Sequence, residues 1–168
     1  MSIWKFGDYQ AYTSANVRAD VKPEATVKNG YVGKFNPATM QFEQFDTAAE
    51  ALGDVWIVGN LIDTPETLNT GDFEVTTEDF ARIFKLNDVV GKRIEVEGNI
   101  CDTAFASVSV GDYLIPETGN YQVTLKAAET GAYSVALLVK AKTTMGNFVI
   151  DNAATGGYIC EVVSITFA

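Results

Sequence analysis

The amino-acid sequence predicts a mainly β protein, a small β-barrel or β-sandwich with an extended N-terminal arm and little helix. Three observations carry this reading. Short runs of β-branched and aromatic residues alternate with polar ones, as in Arg93-Ile94-Glu95-Val96-Glu97 and Tyr121-Gln122-Val123-Thr124-Leu125-Lys126. Gly, Asn, Asp and Pro separate those runs at short, regular spacing, which is the punctuation of a sandwich or barrel. Hydrophobic residues make up 47% of the 168, enough to bury a core without disulfide or metal staples.

Residues 1–24 differ from the rest. Trp4, Phe6, Tyr9 and Tyr12 are interspersed with polar groups, and the segment ends in Asp20-Val21-Lys22-Pro23-Glu24, where Pro23 disfavours helix at the residue before it. This is the expected arm. Its aromatics either pack back on their own domain or insert into a neighbour, since aromatic anchors are enriched at interfaces. Residues 25–100 form the next unit, a β subdomain with a hairpin and an acidic loop. Its hairpin is expected over Ala25–Lys28 and Tyr31–Phe35, because a type I′ turn needs positive φ at both central positions and Asn29-Gly30 accepts that readily. Asn36-Pro37 closes the second strand. Thr47–Leu52 reads as a short helix ended by Gly53 or as an irregular loop, and Asp54–Gly59 as a strand. Asn60–Asp79 reads as a long acidic loop with one short strand at Phe73–Val75. Ala81–Leu86 is a strand or a single helical turn. Arg93–Glu97 then alternates, with Ile94 and Val96 facing the core and the charges facing solvent.

Residues 101–168 are expected to form an antiparallel β subdomain, either separate from or continuous with 25–100. Its strands are predicted at 106–110, 113–115, 121–126, 133–141, 147–150 and 158–167. In the last of these the alternation points to Val163, Ile165 and Phe167 as the core face.

Composition narrows the function. Net charge is −10, and between Phe35 and Ala81 there are ten acids and no Lys or Arg. Such a stretch repels phosphate, so nucleic acid and anionic membranes are poor partners and a basic protein surface or plain solvent is a better one. No apolar run approaches the roughly 18 residues of a membrane span. The opening Met1-Ser2-Ile3-Trp4-Lys5-Phe6-Gly7-Asp8 lacks the apolar stretch of a secretory leader, so synthesis in the cytoplasm is expected.

Catalytic signals are missing. There is no histidine, which removes the commonest general base and metal ligand together with Ser-His and Cys-His nucleophile pairs. Gly91-Lys92-Arg93 fails the phosphate-loop pattern, with Leu86 where the first Gly belongs and Arg where Ser or Thr belongs. Cys101 and Cys160 lie 59 residues apart without a neighbouring Cys or His, so two buried free thiols are expected, a disulfide being the alternative. Asp63, Glu66, Asp72, Glu74, Glu78 and Asp79 fall within 17 residues without a spacing that predicts convergence. They read as a solvated loop first and as a calcium loop second. Trp56 reads as a core side chain first, and as a stacking platform for a sugar or base second. No catalytic residue, metal site or cofactor is therefore expected.

Four segments in order carry a resemblance: Asn29-Gly30-Tyr31-Val32, Asp54-Val55-Trp56-Ile57-Val58, Ala81-Arg82-Ile83-Phe84-Lys85-Leu86, and Val89-Val90-Gly91-Lys92-Arg93-Ile94. In these the chain resembles the capsid decoration, or auxiliary head, proteins of tailed bacteriophages. Asn87-Asp88 stands where the family pattern has Gly-Asp. The resemblance implies a virion protein on the outer capsid surface, with the major capsid protein as partner and reinforcement of subunit contacts as its role. A homo-oligomer is expected, with a trimer among the candidates. The arm residues Trp4, Phe6, Tyr9 and Tyr12 are then the candidate contacts with capsid or neighbouring subunit. A carbohydrate-binding or other ligand-binding β module, resting on Trp56, the tyrosines and the acidic loop, is the alternative.

Overall fold

The computed structural model describes residues 4–6, 17–60, 74–126, 131–145 and 155–167. With 54% strand against 11% helix, the protein is mainly β, as the alternation predicts. The strands are β1 (Trp4–Phe6), β2 (Val17–Pro23), β3 (Val27–Lys28), β4 (Val32–Asn36), β5 (Gln41–Glu43), β6 (Trp56–Val58), β7 (Glu74–Val75), β8 (Ala81–Lys85), β9 (Arg93–Glu97), β10 (Tyr113–Ile115), β11 (Thr124–Leu125), β12 (Gly131–Met145) and β13 (Thr155–Phe167). A short α-helix among the described residues, α1 (Ala48–Ala51), lies between β5 and β6. Thr47 caps it and Glu50 reaches back to the Thr47 amide, a reciprocal box that satisfies two otherwise orphaned donors.

Strands β2-β5-β4-β6-β8 close into a barrel, antiparallel except where β2 runs parallel to β5. Strands β1-β9-β13-β12-β10-β11 form a second, six-stranded antiparallel sheet. β6 is buried on both faces, which is why it reads as a continuous apolar run and not as an alternation. One row across the barrel, Val32 beside Ile57 beside Phe84, packs with Ile94, Leu137, Tyr158, Cys160 and Val162 of the sheet. Trp56, Val58 and Ile83 belong to a second cluster with Val21, Phe42 and Tyr121. The larger core is thus shared, and a division near residue 100 cuts through it, because β9 pairs with β13 in the middle of the C-terminal sheet.

Asn87 ties barrel to sheet. Its Oδ1 accepts the Val55 amide at 2.8 Å, and its Nδ2 donates to Gly53 O and Ser134 Oγ at 3.2 Å each. Ser134, on β12, also donates to Gly53 O. Asn87 lies within the 3-10 turn Leu86–Val89, whose first amide donates to Val55 O at 2.8 Å.

Several expectations are corrected. Residues 17–23 are not arm but barrel strand β2, with Val21 fully buried. The strands flanking Asn29-Gly30 do not pair with each other: β3 pairs with β7, and β4 with β5 and β6. The Tyr31 amide donates to Lys28 O at 3.1 Å, but only Gly30 has positive φ, +92°. This is the pattern of a type II turn, whose twist splays strands instead of closing a hairpin. Asn29 spends its carboxamide elsewhere, exchanging hydrogen bonds with the Asn60 backbone at 3.0 and 2.7 Å. The true hairpin is β4–β5, turning through residues 37–40 with Met40 at φ 56°. It closes so tightly at Gly33 that a Cβ there would lie 2.4 Å from Glu43 O.

In the C-terminal half, the strand expected at 106–110 is a 3-10 turn, Phe105–Ser107, followed by irregular chain. The inward face of β13 is the opposite of the expected one. Tyr158, Cys160 and Val162 are fully buried, while Val163, Ile165 and Phe167 are half-buried on the other side. Glu97, expected in solvent, is 3% exposed. The segment 121–126 contributes only Thr124–Leu125 to a strand, and the strand expected at 147–150 lies outside the described residues. The helix at 48–51, the strands at 56–58, 81–85 and 93–97, and two buried free cysteines agree with expectation.

Candidate functional site

Among the described residues, the densest charged constellation is centred on Lys34 in β4. Strand alternation turns Lys34 away from the core, and the β4–β5 hairpin with α1 surrounds it with acids. Its Nζ lies 2.5 Å from Asp46 Oδ2, 2.9 Å from Glu50 Oε1 and 3.8 Å from Glu43 Oε2. Hydrogen bonds to Asp46 and Glu50 push the ammonium well above the usual lysine range. A lysine so held stays charged and does not act as base or nucleophile. Glu50 is drawn below the usual carboxylate range by Lys34 first and then by the amides of Asp46 and Thr47. Glu43 completes the hairpin by accepting from Asn36 Nδ2 and Thr39 Oγ1, both at 2.9 Å. The constellation holds the hairpin and α1 together.

Beside it opens a cleft of about 370 Å³. Phe35, Pro37 and Trp56 line it with carbon, and Lys34, Glu50 and Asp54 line it with charge. Phe35 and Trp56 meet edge-on, ring centroids 5.8 Å apart, and the Arg18 guanidinium lies 4.4 Å from the Phe35 centroid. Arg18 also forks onto both oxygens of Asp20 at 3.1 and 2.7 Å. Asp54, 62% exposed, pairs with Lys85 at 2.7 Å. Trp56 is 8% exposed and belongs to the core, so the residue that motivated stacking of a sugar or base offers the cleft little of its ring.

Among the described residues, the remaining sequence candidates are not brought together. Trp4 and Phe6 occupy strand register opposite Val96 and Ile94 of β9 in the same chain. Tyr9, Tyr12, Asp63, Glu66 and Asp72 lie outside the described residues. Glu74 pairs with Lys28 and Glu78 with Lys22, each at 3.5 Å. Asp79 accepts from the Thr76 hydroxyl and amide, which hold its carboxyl below the usual range. Among the described residues no three His, Cys, Asp or Glu side chains gather as a metal site would require. Burial pushes the Cys160 thiol up to about 12 and raises Cys101 as well, leaving both protonated and unreactive.

Sequence reasoning missed Lys34 and Asn87. The Thr47-x-x-Glu50 spacing was a readable sign that Glu50 sits at a helix start. Nothing local marks Asn87, whose partners lie 32 to 47 residues away. Comparison with family models, with curated proteins and with solved structures finds no match.

Proposed function

We propose that this chain is a non-catalytic structural module that docks on a larger assembly, specifically a decoration protein on the outer surface of a tailed-bacteriophage capsid. The observation that carries this reading is where the resembling segments lie. The four fall on adjacent elements: the first enters β4, the second contains β6, the third contains β8, and the last runs from the joint into β9. Val32, Ile57 and Phe84 stand side by side in register, and Leu86 bonds back to Val55. Motifs scattered over 66 residues thus form one structural unit. The electrostatics agree, since a chain of charge −10 is suited to a basic protein surface and not to nucleic acid. Many weak contacts repeated by symmetry hold such a protein without any reaction.

The test is composition of the particle. Virions purified from cells that encode the chain carry it at a fixed ratio to the major capsid protein. Particles lacking it take up added protein to the same ratio. Absence from virions by mass spectrometry contradicts the proposal.

A further inference from the structure

The cleft beside Lys34 has the chemistry of a receptor for a basic side chain. Its carbon surface comes from Phe35 and Pro37 with the edge of Trp56, and its charged rim from Glu50 and Asp54. Among the described residues the one cation lining it, Lys34, is held by Asp46 and Glu50, so it presents little free positive charge to a ligand. Arg18 shows the same recognition at the edge of the cleft: its guanidinium lies over the lining ring of Phe35 while its fork engages Asp20. An exposed ion pair such as Asp54–Lys85 is weak and exchangeable, so a better-placed guanidinium competes for Asp54.

We propose that this cleft binds an arginine side chain of a partner protein, its aliphatic stem lying along Pro37 and Trp56 and its guanidinium facing Asp54 and Glu50. Charge complementarity selects this occupant. Around the cleft the four carboxylates of Glu43, Asp46, Glu50 and Asp54 share two lysines, Lys34 and Lys85, so a cation with an apolar stem satisfies both halves of the lining, an acid is repelled, and a purely apolar group leaves the acidic surplus unmet. The inference names partner chemistry at one place and does not require the assembly to be a capsid.

The experiment is a nuclear magnetic resonance titration of the full-length protein with N-acetyl-arginine amide, following the Trp56 indole and the Gly53 and Asp54 amides. N-acetyl-norleucine amide is the apolar control. Expected are saturable shifts confined to the cleft with arginine, smaller ones with norleucine, and suppression by 0.5 M salt. Asp54→Asn weakens binding on the order of fivefold, as loss of one exposed charge-assisted contact implies. Asp102→Asn, which removes the same charge from an exposed position elsewhere, leaves it unchanged. Equal shifts with norleucine, equal weakening by both substitutions, or no saturable shift overturns the proposal. A capsid-binding protein whose cleft ignores arginine loses this inference and keeps the proposed function.

Discussion

Replacing Asn87 with alanine tests whether barrel and sheet are one cooperative body. The carboxamide makes three hydrogen bonds, and the Val55 amide it satisfies belongs to a residue with no exposed surface. Stranding a buried donor costs about 1–3 kcal/mol, and each lost bond to a satisfied neutral partner costs roughly a further 0.5–1 kcal/mol. Asn87→Ala is therefore expected to lose about 2–5 kcal/mol. Ser134→Ala, which removes one partner of Asn87 and the bond to Gly53, loses about 1 kcal/mol. Because the two side chains touch, the double variant loses less than the sum by about 0.5 kcal/mol or more. Urea unfolding followed by both tryptophan fluorescence and far-ultraviolet circular dichroism reads all three variants. Coincident transitions, a lowered midpoint and an unchanged slope are expected. A loss under about 0.5 kcal/mol for Asn87→Ala, or separate transitions for barrel and sheet, refutes the shared-joint reasoning.

Other outcomes follow from the same geometry. Gly33→Ala forces a methyl against Glu43 O and the Phe42 ring, and is expected to destabilise by about 1–3 kcal/mol in the same unfolding assay; a neutral result means the hairpin relaxes freely. Glu50 has a lowered folded pKa, so its contribution is present above the unfolded carboxylate range and is lost as pH falls through it. Melting temperature therefore declines on acidification below about 4.5, and Glu50→Gln flattens that part of the profile. Cys160 and Cys101 have raised folded values, so the sign reverses: their contribution is complete below the unfolded thiol range and fades as pH rises beyond about 9. In the native protein neither thiol reacts with Ellman's reagent within minutes, whereas both react in urea, and a fast native thiol contradicts their burial.

What the sequence disclosed depended on whether the deciding forces were local. The class and many strands were legible because alternation and turn residues act within a few positions, as at Arg93–Glu97 and Asp54–Gly59. The short helix over Thr47–Leu52 was legible only as one of two readings, the other an irregular loop, because its cap at Thr47 went unread. Asn29-Gly30 misled because the dipeptide allows two turn types, and contacts of Asn29 with Asn60, 31 residues on, select the one that does not close a hairpin. β13 misled because it is apolar on both faces, so only its register with β9, Cys160 beside Ile94, fixes which side is buried. The Lys34 constellation needed the hairpin and α1 to be folded before its acids converge. Phe35, Pro37, Glu50, Asp54 and Trp56 likewise form a cleft only across the β4–β6 pairing.

The most direct test of the structural-protein account is a symmetry-averaged image reconstruction of purified particles from cells that do and do not encode the chain. The account predicts extra density on the outer capsid surface, repeated on the icosahedral lattice, shaped to hold a five-stranded barrel against a six-stranded sheet, and missing from the particles that lack the chain. Identical reconstructions from the two sources contradict it.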